Sequence, residues 1–186
     1  KETEYDDRTY TVDIVANKMP FIANAYAGRG VNSYNAGNFE AALKDYSKAI
    51  AISSLFGAVD TGSIYNSALT AEKMKNYDEA AKNYSKLIDL KYGGGNIYLY
   101  LSNVYLMQGD TAKSMQTIQS GRKVYPDNLP LITQELQYYL ESGKSEEALA
   151  NFEIAIAKDP NNAALWYNRG YIYEKLDNIE KAAENY

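Results

Sequence analysis

The chain repeats itself at an interval of thirty-four residues: Tyr105, Tyr139 and Tyr173 keep that spacing, as do Pro126 and Pro160, and Ala148 and Ala182. A fixed period of this length restricts the chain to a stacked-repeat architecture, because one such unit cannot bury its apolar face alone. The clearest unit covers 129–162 and its most regular neighbour covers 163–186. The same step backwards gives 95–128 and 61–94, and a further unit, 23–56, fits when 57–60 is treated as a four-residue insertion.

In this frame Ala42, Ala80, Ser114, Ala148 and Ala182 share a column. Four residues later stand Tyr46, Tyr84, Ile118, Phe152 and Tyr186. Small then large, one helical turn apart, places both on one face of a helix, where the small side chain lets a neighbouring backbone approach and the large one fills the gap. Between the two helices of each unit lie Gly37-Asn38, Lys75-Asn76, Gly109-Asp110, Gly143-Lys144 and Asp177-Asn178. Glycine, or less often asparagine, is expected there to take the left-handed conformation that ends a helix. Pro126-Asp127-Asn128 and Pro160-Asn161-Asn162 end the second helices and offer caps to the next.

Trp166, Gly170, Tyr173, Ala182 and Tyr186 in the last unit, with Tyr139, Ala148, Phe152, Ala155 and Pro160 in the one before, carry a resemblance to the tetratricopeptide repeat. Arg169 departs from that pattern where Leu is usual, as do Ile132 for the Trp and Leu136 for the Gly. The resemblance covers 23–186 and implies an all-α fold: an α-solenoid, a right-handed superhelix of antiparallel helix pairs, of about five units. Residues 1–22 are left as an N-terminal segment. Pro20 falls in the proline column, which makes 5–19 a second helix of a degenerate unit, although Tyr10, Val12 and Ile14 alternate as a strand would. The sequence stops at Tyr186 within a second helix, so the natural chain is expected to continue, and the uncovered last unit offers a face for self-association.

The chemistry that the residues allow is narrow. There is no histidine and no cysteine, which removes His-based triads and general bases, His-ligated or thiolate metal sites, and disulfides. No cofactor is expected. Asp60-Thr61-Gly62-Ser63 reads like the loop bearing the catalytic carboxylate of aspartic proteases. A second copy is missing, and Asp60 or Thr61 is expected to cap a helix instead. Ser120 and Lys123 match Ser-x-x-Lys on a second helix, facing outward. Gly93-Gly94-Gly95 lacks the Gly-Lys-Ser/Thr of a phosphate loop and reads as an inter-repeat joint. Asn83-Tyr84-Ser85 is a formal glycosylation acceptor placed inside a helix. Glu40, Asp78, Glu79, Glu146 and Glu147 open second helices, where they suit the helix dipole. An enzyme would need ionisable groups converging in a pocket, which this spacing does not supply.

The formal net charge is −5, with both signs interleaved. This argues against nucleic acid and against a polybasic membrane surface, and no apolar run approaches the roughly 20 residues of a membrane span. A composition without cysteine and rich in Tyr, Asn and Lys associates the chain with a bacterial envelope or periplasmic setting.

The resemblance implies that first helices line a concave face. The side chains there not claimed by packing are Tyr34, Tyr65, Leu69, Leu99, Asn103, Leu106, Gln137, Tyr167 and Tyr171. Aromatic bodies with polar tips suit a protein or peptide partner, and the expected function is a non-catalytic interaction scaffold. A second reading is capture of a neutral small ligand such as a glycan, stacked on those tyrosines in a closed pocket. Family members that clamp chaperone tails use a Lys column. Here that column holds Ala27, Tyr65, Leu99, Thr133 and Tyr167, so such a clamp is not expected.

Overall fold

Residues 11–186 are described by a computed structural model, and among them every regular element is a helix. The chain divides into two compact units between Tyr92 and Gly93. The first holds α1 (Met19–Asn35), α2 (Phe39–Leu55), α3 (Thr61–Lys73) and α4 (Tyr77–Asp89). The second holds α5 (Gly95–Met107), α6 (Thr111–Val124), α7 (Leu129–Glu141), α8 (Ser145–Lys158), α9 (Ala163–Lys175) and α10 (Ile179–Asn185). Odd-numbered helices open a pair and even-numbered ones close it. In the first unit α1 packs on α2, α2 on α3 and α3 on α4. In the second the same succession runs from α5 to α10, and α5 also lies against α7. Among the described residues no helix is long and apolar enough to cross a membrane.

Each odd-numbered helix ends in the same way. Gly37, Lys75, Gly109, Gly143 and Asp177 all have positive φ, between 57° and 79°. The next amide in each case reaches back five residues, as Asn76 N–H does to the Ala71 carbonyl at 2.8 Å. This pairing of a left-handed residue with a backward bond closes the helix by satisfying its last carbonyls. It corrects the expectation for 75–76 and 177–178: the left-handed residue is Lys75 or Asp177, not the asparagine. Asn76 and Asn178 instead accept the Glu79 and Lys181 amides at 3.3 and 3.2 Å and so start the following helix. Asp60 does the same for α3, accepting Ser63 N–H at 2.8 Å, and Asn128 for α7.

The four extra residues of the first repeat lie inside a helix and not in the loop. α2 has 17 residues where α4 has 13, and the links that follow, 56–60 and 90–94, are equally long. Pro20 also behaves otherwise than expected. The backbone stays helical from Thr11 to Asn35, so neither a break at Pro20 nor a strand at Val12 and Ile14 is formed. A prolyl ring displaces the carbonyl four residues back. That carbonyl, at Ala16, belongs to a π-helical turn, Ile14–Lys18, whose wider ladder accommodates it. The first part of the expected 5–19 helix, 5–10, lies outside the described residues.

The small and large columns are the core. Ala42, Ala80 and Ala148 are fully buried, as are Tyr84 and Phe152, while Tyr186 is exposed. Opposite the large residue stands another small one: a Cβ on Gly30 would come within 2.6 Å of the Tyr46 ring, and one on Gly170 within 2.9 Å of Tyr186. Where serine replaces alanine in both facing positions, the hydroxyls pair, Ser102 Oγ to Ser114 Oγ at 2.7 Å. The large residue also sets its partner near the end of the first helix. Tyr84 donates to Glu72, and Tyr186 donates to Glu174 at 2.7 Å. Ile118 lines a hollow together with Leu106, and Phe152 belongs to the cluster against which Leu140 packs. In these four repeats a tyrosine hydroxyl meets a carboxylate and a hydrocarbon meets leucine, whereas buried Tyr46 of the first repeat has Tyr34 at that position.

Arg169, anomalous in the repeat pattern, joins α9 to α10 by donating to Asn185 at 2.7 Å. Arg29 joins α1 to α2 in the same register through a two-nitrogen grip on buried Asp45. That bond holds the Asp45 carboxyl below its ordinary 3.8, against the opposing effect of desolvation. Folded Asp45 therefore binds its proton less readily than the unfolded chain does. The pair stabilises the fold above about pH 4, and this is lost as pH falls through the lowered folded value. The gap in urea midpoint between wild type and Asp45→Asn is expected to be widest near about pH 7 and to close as pH falls through the lowered Asp45 value. A gap unchanged at low pH would show that the carboxylate's charge is not what stabilises.

Candidate functional site

Side chains on the odd-numbered helices divide by face. Ile64, Ala68 and Ala71 of α3, and Ile97, Leu101 and Val104 of α5, turn inward and are buried. Ser63, Ser67 and Thr70 of α3 and Ser102 of α5 are buried beside them, and the side chains on the opposite side of each helix turn outward, since a helix rotates each successive side chain by about 100°. None of the nine expected surface residues is buried.

On the first unit, Tyr65 and Leu69 stand one turn apart on α3 and are half-buried. The Tyr65 ring meets Tyr84 edge-on with centroids 6.5 Å apart. Tyr34, at the end of α1, packs against Phe39 at 5.5 Å. It is thus drawn into the α1–α2 turn, away from the face that Tyr65 shares with Leu69. On the second unit, Leu99, Asn103 and Leu106 follow one face of α5, with Leu106 40% exposed. Gln137 lies exposed on α7, its amide donating to Glu141 at 2.7 Å. Tyr167 and Tyr171 of α9 are 62% and 45% exposed. The first contacts the Tyr186 ring at 5.4 Å, and the second carries the Lys175 ammonium 5.3 Å above its ring.

Leu106 opens on a hollow floored by Met115 and Ile118 and rimmed by Gln134, Tyr138 and Glu141. Tyr138 was not among the expected residues. Its signal in the sequence was its place one turn after Gln134, on the same side of α7. The hollow offers an apolar floor and amide, phenol and carboxylate groups at its mouth, a combination suited to holding a side chain.

Among the described residues, the carboxylates whose titration is displaced move downward. Asp110 is held low first by the Lys113 backbone amide and then by the Lys113 side chain, and Asp45 by Arg29. A carboxylate displaced downward is a weaker base, the opposite of what proton abstraction near neutrality requires. Tyr186 is pushed up to about 12 by its bond to Glu174. Asp60 is a helix cap, Ser120 Oγ donates to the Gln116 carbonyl at 2.8 Å, and Asn83 is buried with its amide on the Glu79 carbonyl at 3.0 Å. Each of these motifs is occupied by its own helix.

The family profile described as Tetratricopeptide repeat matches residues 65–128 and 133–186, more than half of the chain. Sperm-associated antigen 1 of Mus musculus is 22% identical over 127 residues, 68% of this chain and 13% of that protein. The TPR repeat-containing protein YpiA of Bacillus subtilis is 26% identical over 145 residues, 78% of this chain and 33% of its own length. The chain therefore spans only a minor part of these relatives. Among solved structures, YrrB, a TPR protein with an unusual peptide-binding site, superposes with a TM-score of 0.63 at 23% identity, covering 95% of this chain and 88% of its own. MamA superposes with a TM-score of 0.67 at 15% identity, covering 88% and 87%. At these identities the structural likeness is one of fold.

Proposed function

Because the chain belongs to the tetratricopeptide repeat family, we propose that it is a non-catalytic protein–protein interaction scaffold that holds a protein or peptide on the outward faces of its odd-numbered helices. The observation that carries this reading is the accessibility of large side chains on those faces: Leu106, Tyr167 and Tyr171 remain 40%, 62% and 45% exposed while the opposite face of the same helices is buried. Tyrosine supplies a wide contact area and one hydrogen-bonding group with few torsions to freeze. The helices that present it are fixed by their own pairs, so little ordering cost falls on binding. YrrB, similar in fold, is described as having a peptide-binding site.

The test is affinity capture from a lysate of the source organism with wild type and with the Tyr65→Ala, Leu99→Ala, Tyr171→Ala triple variant. All three side chains stand outside the fully buried set, so the variant is expected to keep its helical circular dichroism. A captured partner is expected to fall by about tenfold or more with the variant, as loss of one anchor worth 1.4 kcal/mol would already produce. Retention that survives all three changes would count against these faces as the binding surface.

A further inference from the structure

Within the first unit, α3 meets the preceding pair through a face unlike its counterparts in the second unit. There α7 meets α6 through Leu131, toward which a Cβ on Gly121 would come within 3.1 Å, and through Glu135, held by Arg122 at 3.1 Å. α9 likewise gives Leu165 and Ile172 to the cluster that holds Phe152 and Ile156 of α8. The same places of the repeat on α3 are taken by Ser63, Ser67 and Thr70. All three are buried, and α3 follows α2 as α7 follows α6, so this is the face turned to α2.

None of the three hydroxyls bonds across that seam. Thr70 turns to its own helix, its Oγ donating to the Asn66 carbonyl at 2.6 Å. Ser63 Oγ and Ser67 Oγ, one turn apart, have no hydrogen-bond partner among the described residues. Elsewhere the buried polar groups are matched: Glu135 has Arg122, and Ser102 faces Ser114 at 2.7 Å. An unpaired buried hydroxyl forfeits the bond it makes to water, and serine in place of leucine brings little apolar area. Both effects weaken the same contact.

The pair on the other side of the seam is well joined within itself. Arg29 grips Asp45, the Tyr46 ring fills the space that Gly30 leaves, and the Lys48 ammonium lies 5.0 Å from the centre of the Tyr26 ring. The link that follows is bonded to the end of α2: Phe56 and Ala58 N–H donate to the Ser53 carbonyl at 3.2 and 3.0 Å, and Gly57 N–H to the Ser54 carbonyl at 3.1 Å. Gly57, at φ 75°, has open space around its α-carbon.

We infer that α1 and α2 swing away from α3 and α4 as one body about residues 57–60, and that the unpaired hydroxyls of Ser63 and Ser67 set how often they do so. Opening returns both hydroxyls to water while the bonds inside each pair stay made, so the chain yields along this seam before either pair unfolds. The device is independent of the scaffold reading, because neither hydroxyl belongs to the proposed binding face.

The test is native-state hydrogen exchange of the 186-residue chain, read by mass spectrometry. Amides of α1 and α2, those around Gly30 and Tyr46 included, are expected to share one level of protection, at least about tenfold below that of α3 and α4. Ser63→Ala with Ser67→Ala should raise that level by about tenfold or more, since the closed form then buries no unpaired hydroxyl. Gly62→Ala favours α3 from its exposed start without touching the seam, and should leave α1 and α2 within about twofold of wild type. Protection of α1 and α2 equal to that of α3 and α4, or graded from the helix ends inward, would overturn the opening as one body. Protection that stays the same or falls in the double variant would overturn the role of the hydroxyls, a fall meaning that ordered water bonds them in the closed form. An equal rise with Gly62→Ala would trace the effect to helix propensity and overturn that role as well.

Discussion

Replacing Phe152 with alanine is expected to destabilise the unit Gly93–Tyr186 by about 3–5 kcal/mol. Phe152 is 0% exposed and sits in one buried cluster with Ile132 and Leu136 of α7, Ala155 and Ile156 of α8, and Leu165 and Ile172 of α9. It therefore serves three successive helices at once. Truncation removes the transfer free energy of the ring and leaves a cavity whose walls come from helices held by their own turns, so collapse is hindered. Urea unfolding should show the loss, and hydrogen exchange should show protection falling together in α7, α8 and α9, because a repeat is stabilised by its neighbours. A cost below about 1.5 kcal/mol would mean that the helices close over the gap and that Phe152 is not central to the stack.

A comparable effect is expected from Arg122→Ala, for an electrostatic reason. Arg122 and Glu135 are the most deeply placed of the ion pairs, with side chains 13% and 11% exposed and Nε 3.1 Å from the carboxylate. The same guanidinium donates to the Pro126 carbonyl, so it ties the turn before α7 to the end of α6. Without it the Glu135 carboxylate keeps only the Tyr139 hydroxyl, at 3.4 Å. An uncompensated buried charge of this kind costs about 3–5 kcal/mol, whereas two apolar residues in place of the pair are often neutral. The double variant Arg122→Leu, Glu135→Leu should thus recover most of what Arg122→Ala loses, as read by urea midpoint. If the double change is as damaging as the single one, the bond to the turn and not the ion pair is what Arg122 supplies.

Periodicity made the helix pairs, their turns and the inward columns legible, because each depends on residues close in sequence: a helix stop needs a left-handed residue, and a small-then-large pair needs one turn of helix. Details that depend on a competing local choice were less so. At 75–76 and 177–178 the asparagine was the better left-handed candidate on propensity alone, but its side chain is worth more as the next helix's cap, and Lys75 or Asp177 takes the strained angle. Arg169 departs from the repeat pattern because its partner is Asn185, sixteen residues on, in the register of Arg29 with Asp45. The pairing of Tyr84 and Tyr186 with glutamates, and of Ile118 and Phe152 with leucines, was present in the columns, but it becomes visible only when two columns are read against each other. The surface residues were selected by elimination from the inward columns. That rule tells which way a side chain faces but not what it touches, which is why Tyr34 joined the set although it packs into its own turn.

The longer α2 bears on which insertions and deletions such a chain can tolerate. Four residues turn a helix by about 400°, so everything beyond the added turn returns to within about 40° of its former direction. Two added residues would swing it by about 200° and point the apolar stripe at water. Growth in steps of a single turn is therefore nearly silent to the neighbouring helix, and the five-residue link after α2 can stay the same length as the one after α4. Length variation among such repeats should come in quanta of three or four residues within helices, with intermediate sizes confined to segments where no face has to be kept.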